Sequence, residues 1–178
     1  MRTLRINNYL VPPSPWIEKF IGYIPAGGMV LDLACGPGRH ARLLASAGHQ
    51  VLAVDRDATA LAGLNSTRGI TTCLADLEQD EWPLAGRRFA GIVVTNYLWR
   101  PRLAEVLGLL QPGGVLLYET FMAGQERFGK PSNPAFLLAP GELLQAARSA
   151  GLDVIAYEEG YGRRPAPGMR QAIFALQP

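Results

Sequence analysis

Short apolar runs recur along the chain, and most are separated by segments with helical spacing of their apolar positions. Met29 to Ala34, Val51 to Asp55, Ile70 to Ala75, Phe89 to Thr95 and Val115 to Thr120 read as strands. They are apolar almost throughout, which is the pattern of strands covered on both faces. Helices are predicted over Trp16–Tyr23, Gly38–Ala47, Ala58–Leu64, Arg102–Leu110 and Glu142–Ala150. Ser14 and Pro15 mark the start of the first, Asp57 caps the third, and Gly48 and Gly151 stop the second and the last. Pro83 to Arg88 is loop, and Pro112-Gly113-Gly114 is a turn. The final runs, Leu152–Tyr157 and Gln171–Leu176, are joined by EEGYGRRPAPGMR. That linker is too short and too rich in glycine and proline for a crossover helix, so the two strands form an antiparallel hairpin. The alternation predicts an α/β, three-layer architecture: a seven-stranded, mostly parallel sheet with the last strand antiparallel.

A length of 178 residues suits a single domain over 1–178, with residues 1–28 as an N-terminal cap segment. The 48% hydrophobic content is that of a globular protein, and a net charge of +2 gives no general pull toward nucleic acid or membrane. MRTLRINNYLVPPSP lacks the apolar core of a signal peptide. No stretch reaches the roughly 18 apolar residues of a membrane helix. The expected location is the cytoplasm, where Cys35 and Cys73 are reduced thiols without metal-ligand spacing, and no metal is expected. One long loop, FMAGQERFGKPSNPAFLLAP over 121–140, leaves the fifth strand and is expected to act as a lid.

Three acids accompany three successive strands. Asp32 lies inside the first, Asp55 ends the second and Asp76 follows the third. An acid at Asp55, about 20 residues past a glycine turn, is placed to accept hydrogen bonds from ribose hydroxyls. Ala34, Gly36 and Gly38 form that turn, where small residues allow close approach of a ligand. A dinucleotide is the alternative, with Ala41 at the third glycine position of the usual fingerprint. Asp32 counts against it, because a buried carboxylate repels a polyphosphate and attracts an ammonium or sulfonium. Asp76 and the backbone N–H of Leu77 suit the amine and ring nitrogen of an adenine.

VLDLACGPGRH, VLAVDRD, CLADLE, FAGIVVTNYL and LLQPGGVLLYETF together resemble the successive motifs of the seven-stranded, class I S-adenosylmethionine-dependent methyltransferases. The resemblance runs from Met29 to the C-terminus and implies a Rossmann-like sandwich with S-adenosyl-L-methionine as cofactor. It assigns Asp32, Ala34, Gly36 and Gly38 to the methionine part, Asp55 to the ribose, Asp76 and Leu77 to the adenine, and Asn96 and Tyr97 to the segment lining cofactor and substrate, with Arg56 also among the cofactor-binding residues. Ala34 departs from the family pattern, which carries glycine there. YETFMAGQERFGKPSNPAFLLAPGELL is similar to small stand-alone bacterial members of the tellurite-resistance and thiopurine type.

The resemblance implies methyl transfer to an acceptor, chiefly by positioning. The alternatives are a catalytically silent cofactor-binding domain or partner subunit, and an NAD-dependent oxidoreductase. No residue stands out as a general base; His40, Tyr97 and Glu119 are the candidates for a catalytic role. Thr120, Trp99, Trp16 and Tyr9 are candidates for the pocket wall. Arg127 and Lys130 are placed to attract an anion or simply to meet solvent, and Arg87-Arg88 and Arg163-Arg164 are surface charges. TNYL after the fourth strand lacks the Asn/Asp-Pro-Pro-aromatic motif of amino-directed DNA methyltransferases. The short segment before the first strand and the single long loop lead to a small-molecule acceptor, no nucleic acid, no membrane and, as an open oligomeric form, a homodimer.

Overall fold

The computed structural model describes residues 11–163 and 166–178. Tyr9 and Arg164, named above, lie outside them. Seven strands form one sheet: β1 (Met29–Leu33), β2 (Gln50–Asp55), β3 (Ile70–Leu74), β4 (Phe89–Thr95), β5 (Leu110–Phe121), β6 (Asp153–Gly162) and β7 (Gly168–Leu176). Their order is β3-β2-β1-β4-β5-β7-β6. The first five are parallel, and β7 runs antiparallel to both β5 and β6. The expected closing hairpin is present, and its strands are longer than the apolar runs alone suggest.

Alternating side chains divide the core. Leu31, Leu33, Val94, Leu116, Tyr118 and Ile173 face one side, under α4 (Leu103–Leu107) and α5 (Glu142–Ser149). Val30, Val51, Ala53, Val93, Leu117 and Phe174 face the other, under α1 (Pro15–Phe20), α2 (Arg39–Ser46) and α3 (Ala58–Ala62). Three layers result because each strand carries apolar residues on both faces. No helix among the described residues is long and apolar enough to cross a membrane.

Of the boundaries that differ from the sequence reading, three bear on how the layers meet. The helix expected over Trp16–Tyr23 ends at Phe20 and tightens into one 3₁₀ turn over Ile21–Tyr23. The helix expected over Arg102–Leu110 is α4 alone, preceded by a 3₁₀ turn over Arg100–Arg102. Leu110 instead starts β5, and Pro112-Gly113-Gly114 lies within that strand as an irregularity. Phe89 pairs with Leu110 and Gly91 already with Val115, while Gly113 and Gly114 exchange hydrogen bonds with Gln177. The glycine-proline turn is absorbed because β7 offers it backbone partners, which no local pattern reveals.

The 121–140 loop is tied down along much of its length. The Ala123 N–H donates to the Leu138 carbonyl, and the Leu138 N–H donates to that of Phe121. Arg100 reaches the carbonyls of Ala135 and Leu137, both at 2.7 Å. Arg100 also forms a bidentate pair with Glu142, at 2.6 and 2.8 Å. Two 3₁₀ turns, Gln125–Arg127 and Pro134–Phe136, occupy the rest.

Candidate functional site

The strand order reverses between β1 and β4, and the crevice past their C-terminal ends is where open α/β sheets bind ligands. Two cavities meet there at Ala34. One, about 190 Å³, is bounded by Asp55, Arg56, Asp76, Leu77 and Tyr97. The other, about 250 Å³, is bounded by Cys35, Gly36, Arg39, Thr95 and Asn96. Together they make one groove across the switch point.

The groove is built by backbone conformations that cost energy. Ala34 (φ 54°) and Asn96 (φ 56°) are the two non-glycine residues with positive φ among the described residues, and both line it. Such strain of roughly 1–3 kcal/mol per residue concentrates at ligand sites. Gly36 (φ 53°) turns the chain after β1, and its N–H donates to Asp55 Oδ2 at 2.7 Å. Asp55 Oδ1 accepts the Asp57 N–H at 2.9 Å, so the carboxylate fastens the glycine turn to the end of β2. Asp57 separately caps α3 by accepting from Thr59 and Ala60.

Asp76 and Leu77 form the far wall, and Arg56 stands beside them. Asp76 accepts the Glu78 N–H and the Gln79 side-chain amide, and these bonds hold its carboxyl below the usual range. Tyr97 packs on this wall with its backbone carbonyl accepting the Tyr118 hydroxyl at 2.8 Å. Its own hydroxyl is buried with no protein partner, and burial raises its pKa.

Two expected cofactor contacts lie elsewhere. Asp32 is fully buried in mid-strand and does not line the groove, so the three acids do not converge on one spot. Strand alternation turns it toward the helix layer with Val30, where it accepts the Ala41 N–H of α2. Burial pushes its carboxyl up to about 7, the Ala41 bond and the charge of Arg39 oppose that, and the charge of Asp55 adds to it. Oδ2 of Asp32 has no partner. Gly38 (φ 78°) caps α2, and a Cβ there would fall 2.5 Å from Leu64; the position serves packing rather than the groove.

Of the three candidates for chemistry, His40 and Glu119 are engaged. His40 is buried, with Nε2 accepting the Ser14 N–H at 3.0 Å and Nδ1 3.2 Å from Thr95 Oγ1. The Ser14 amide can only donate, so the proton sits on Nδ1 and goes to Thr95. Burial, with help from Arg39, pushes the His40 pKa down to about 3. Glu119 accepts the Ser14 hydroxyl and lies 3.7 Å from the Arg170 guanidinium. Thr120 is buried on the opposite face of β5. Trp16 is buried, its indole donating to the Ile173 carbonyl at 3.1 Å. Trp99 precedes the 3₁₀ turn over Arg100–Arg102 and lines neither groove cavity. Arg127 is exposed, and Arg87, Arg88 and Arg163 are surface charges as expected.

Sequence reasoning missed Ser14 as a bridge, Arg39 on the groove wall and, above all, Arg170. Nη1 of Arg170 donates to Asn96 Oδ1 at 2.6 Å, directly behind the groove. The signal was present in GMRQAIFAL. Arg170 shares the face of Ala172 and Phe174, so alternation points a cation toward the core side of β7.

Residues 30–114 match the family of methyltransferase domains. A tRNA U34 carboxymethyltransferase from Methylococcus capsulatus is 27% identical over 145 residues, covering 71% of this chain and 45% of that protein. The chain thus spans less than half the length of that relative. TehB from Haemophilus influenzae superposes with a TM-score of 0.73 at 22% identity, over 92% of this chain and 61% of TehB. A TehB-like methyltransferase from Corynebacterium glutamicum gives 0.66 at 20%, over 92% and 87%. The glycopeptide N-methyltransferase MtfA, complexed with S-adenosyl-L-homocysteine, gives 0.64 at 20%, over 92% and 88%. At such identities the superpositions establish the fold.

Proposed function

We propose that this chain, whose residues 30–114 match the methyltransferase-domain family, is a class I S-adenosylmethionine-dependent methyltransferase that transfers the methyl group to a small-molecule acceptor, mainly by positioning. The observation that carries this reading is the groove at the switch point, with carboxylates at its walls and strained small residues at its centre. Those residues fit the cofactor. Asp55 would meet the ribose hydroxyls, Asp76 and Leu77 the adenine, and Ala34 and Gly36 the methionine portion. Tyr97 offers a buried hydroxyl in need of a partner.

When bound, the cofactor supplies an electrophilic methyl on a sulfonium, which leaves as a neutral thioether once an acceptor's electron pair has bonded to the methyl carbon. The chain's own task is to orient and to exclude water, which can account for roughly 7–11 kcal/mol of barrier. Asn96 and Tyr97 form the partition between groove and acceptor. The Ser14–His40 contact holds the segment before α1 over the same edge, where Arg39 also grips the Pro12 carbonyl at 3.0 Å. A cytoplasmic enzyme acting as one domain, alone or as a homodimer, goes with this reading.

Calorimetry with S-adenosylmethionine, S-adenosylhomocysteine and NADH tests the cofactor: the first two bind and NADH does not. Micromolar binding of NADH alone would overturn the reading. A labelled-methyl assay over small thiols, amines, phenols and carboxylates, with bulk tRNA as a further arm, tests the acceptor class. Transfer to tRNA alone would move the acceptor to that of the Methylococcus relative.

A further inference from the structure

A second cavity, of about 290 Å³, adjoins the groove behind Asn96. The start of α1 covers it, with Ser14 and Trp16 facing in, and the ends of β5, β7 and β6 form its floor. Glu119, Ala172 and Glu158 are register partners across those strands and share one face. Ala172 and the glycines of β6 leave room where larger side chains would fill it.

Arg170 closes the deep end. It is nine-tenths buried and stacks over the Phe121 ring, 4.1 Å from its centroid. Nη1 is spent on Asn96, and Nε is buried with no hydrogen-bond partner. Glu119 at 3.7 Å from Nε is an ion partner beyond hydrogen-bond reach. Two of the carboxylates nearby are already engaged. Glu119 accepts the Ser14 hydroxyl, and Glu159 accepts the Gly141 N–H at 2.8 Å and the Tyr157 hydroxyl at 2.7 Å. Glu158 stands a strand away from Glu119's neighbour, and Lys19 faces the cavity from α1. The unmet demand at the deep end is therefore for an acceptor of hydrogen bonds to a guanidinium, and a planar anion fits that fork best.

The walls are aromatic. Trp16 lies against the cavity, and Tyr161 at its mouth is half-exposed and packs on the exposed Phe128, with ring centroids 5.2 Å apart. Exposed aromatic pairs at a cavity mouth suit a flat apolar body. Both ring nitrogens of His40 are engaged, and a group that arrives deprotonated needs no base from it.

Resting on the methyltransferase reading, we infer that this cavity is the acceptor site and that it takes a small aromatic carboxylate, its anionic group on Arg170 and its ring between Trp16 and Tyr161. The probe is benzoate, titrated calorimetrically into the full chain already saturated with S-adenosylhomocysteine. Benzoate binds at least about tenfold more tightly than benzylamine or benzyl alcohol, because only the anion meets the guanidinium. Arg170→Met lowers benzoate affinity by about tenfold or more while S-adenosylhomocysteine still binds. Tyr161→Ser, at an exposed position that does not endanger folding, weakens benzoate by roughly threefold and cyclohexanecarboxylate by less. The inference is overturned if benzoate does not bind, if benzylamine binds as well, or if Tyr161→Ser leaves benzoate untouched. Loss of S-adenosylhomocysteine binding in the wild-type chain would instead sink the methyltransferase reading on which the inference rests.

Discussion

The Ser14 hydroxyl donates to the Glu119 carboxylate across 105 positions of sequence, while the Ser14 N–H donates to His40 Nε2. One small residue thus links the segment before α1 to β5 and to α2. Its oxygen also accepts the Trp16 N–H as the cap of α1. Ser14→Ala removes the cap and leaves Glu119 short of a buried donor. The expected loss is about 1–3 kcal/mol, read from urea unfolding with an unchanged slope. A loss well under half a kcal/mol would show that the bridge carries no weight.

Asp32 and His40 set opposing pH dependences. The Asp32 carboxyl is raised from 3.8 to about 7 in the fold, so the folded state binds its proton more readily than the unfolded chain. It therefore adds stability as pH falls from about 7 toward 4 and withdraws it in the other direction. His40 is lowered from 6.5 to about 3, so stability is lost as pH falls through that interval. Asp32→Asn removes the first effect alone. The variant is more stable than wild type at pH 8, by on the order of 2–4 kcal/mol, and the advantage disappears by about pH 4. Its stability also falls more steeply than wild type between those values. Parallel stability–pH curves for the two proteins would contradict this.

Asp55→Ala is expected to weaken S-adenosylmethionine binding by about 1–3 kcal/mol, because a carboxylate that both meets the ligand and fastens the Gly36 turn is lost. Calorimetry on the folded variant checks it, and an unchanged dissociation constant removes Asp55 from the site.

Ala34 occupies left-handed backbone, where the family pattern carries glycine. Ala34→Gly relieves the clash of Cβ with the carbonyl and is expected to raise stability by up to about 1 kcal/mol. A thermal melt measures the change; a lower midpoint would mean that the Ala34 methyl packs more usefully than its strain costs.

Much of the fold was legible before any coordinates. Apolar runs gave the strands, the glycine and proline punctuation gave most helix ends, and the short final linker gave the reversed strand. Helix lengths were less legible. Arg102–Leu110 has helical spacing, yet Leu110 joins β5 because Phe89 and the chain end offer it a partner. Asp55, Asp76, Leu77, Asn96 and Tyr97 line the groove where strand ends place them, since the topology delivers strand ends to one edge. That Asp32 is buried against α2 and not on the groove wall was not legible, because a position inside a strand does not say what covers the face it takes.

The sequence by itself determined the order of elements, the reversed last strand and the acids at the sheet's edge, all of which follow from periodicity and turn chemistry within a few residues. Only the tertiary structure decided that Asp32 turns away from the groove, that His40 is locked by Ser14 and Thr95, and that Arg170 from the far end of the chain backs Asn96. Those outcomes depend on which strand lies next to which and which face each presents. They are long-range packing choices that no local pattern encodes.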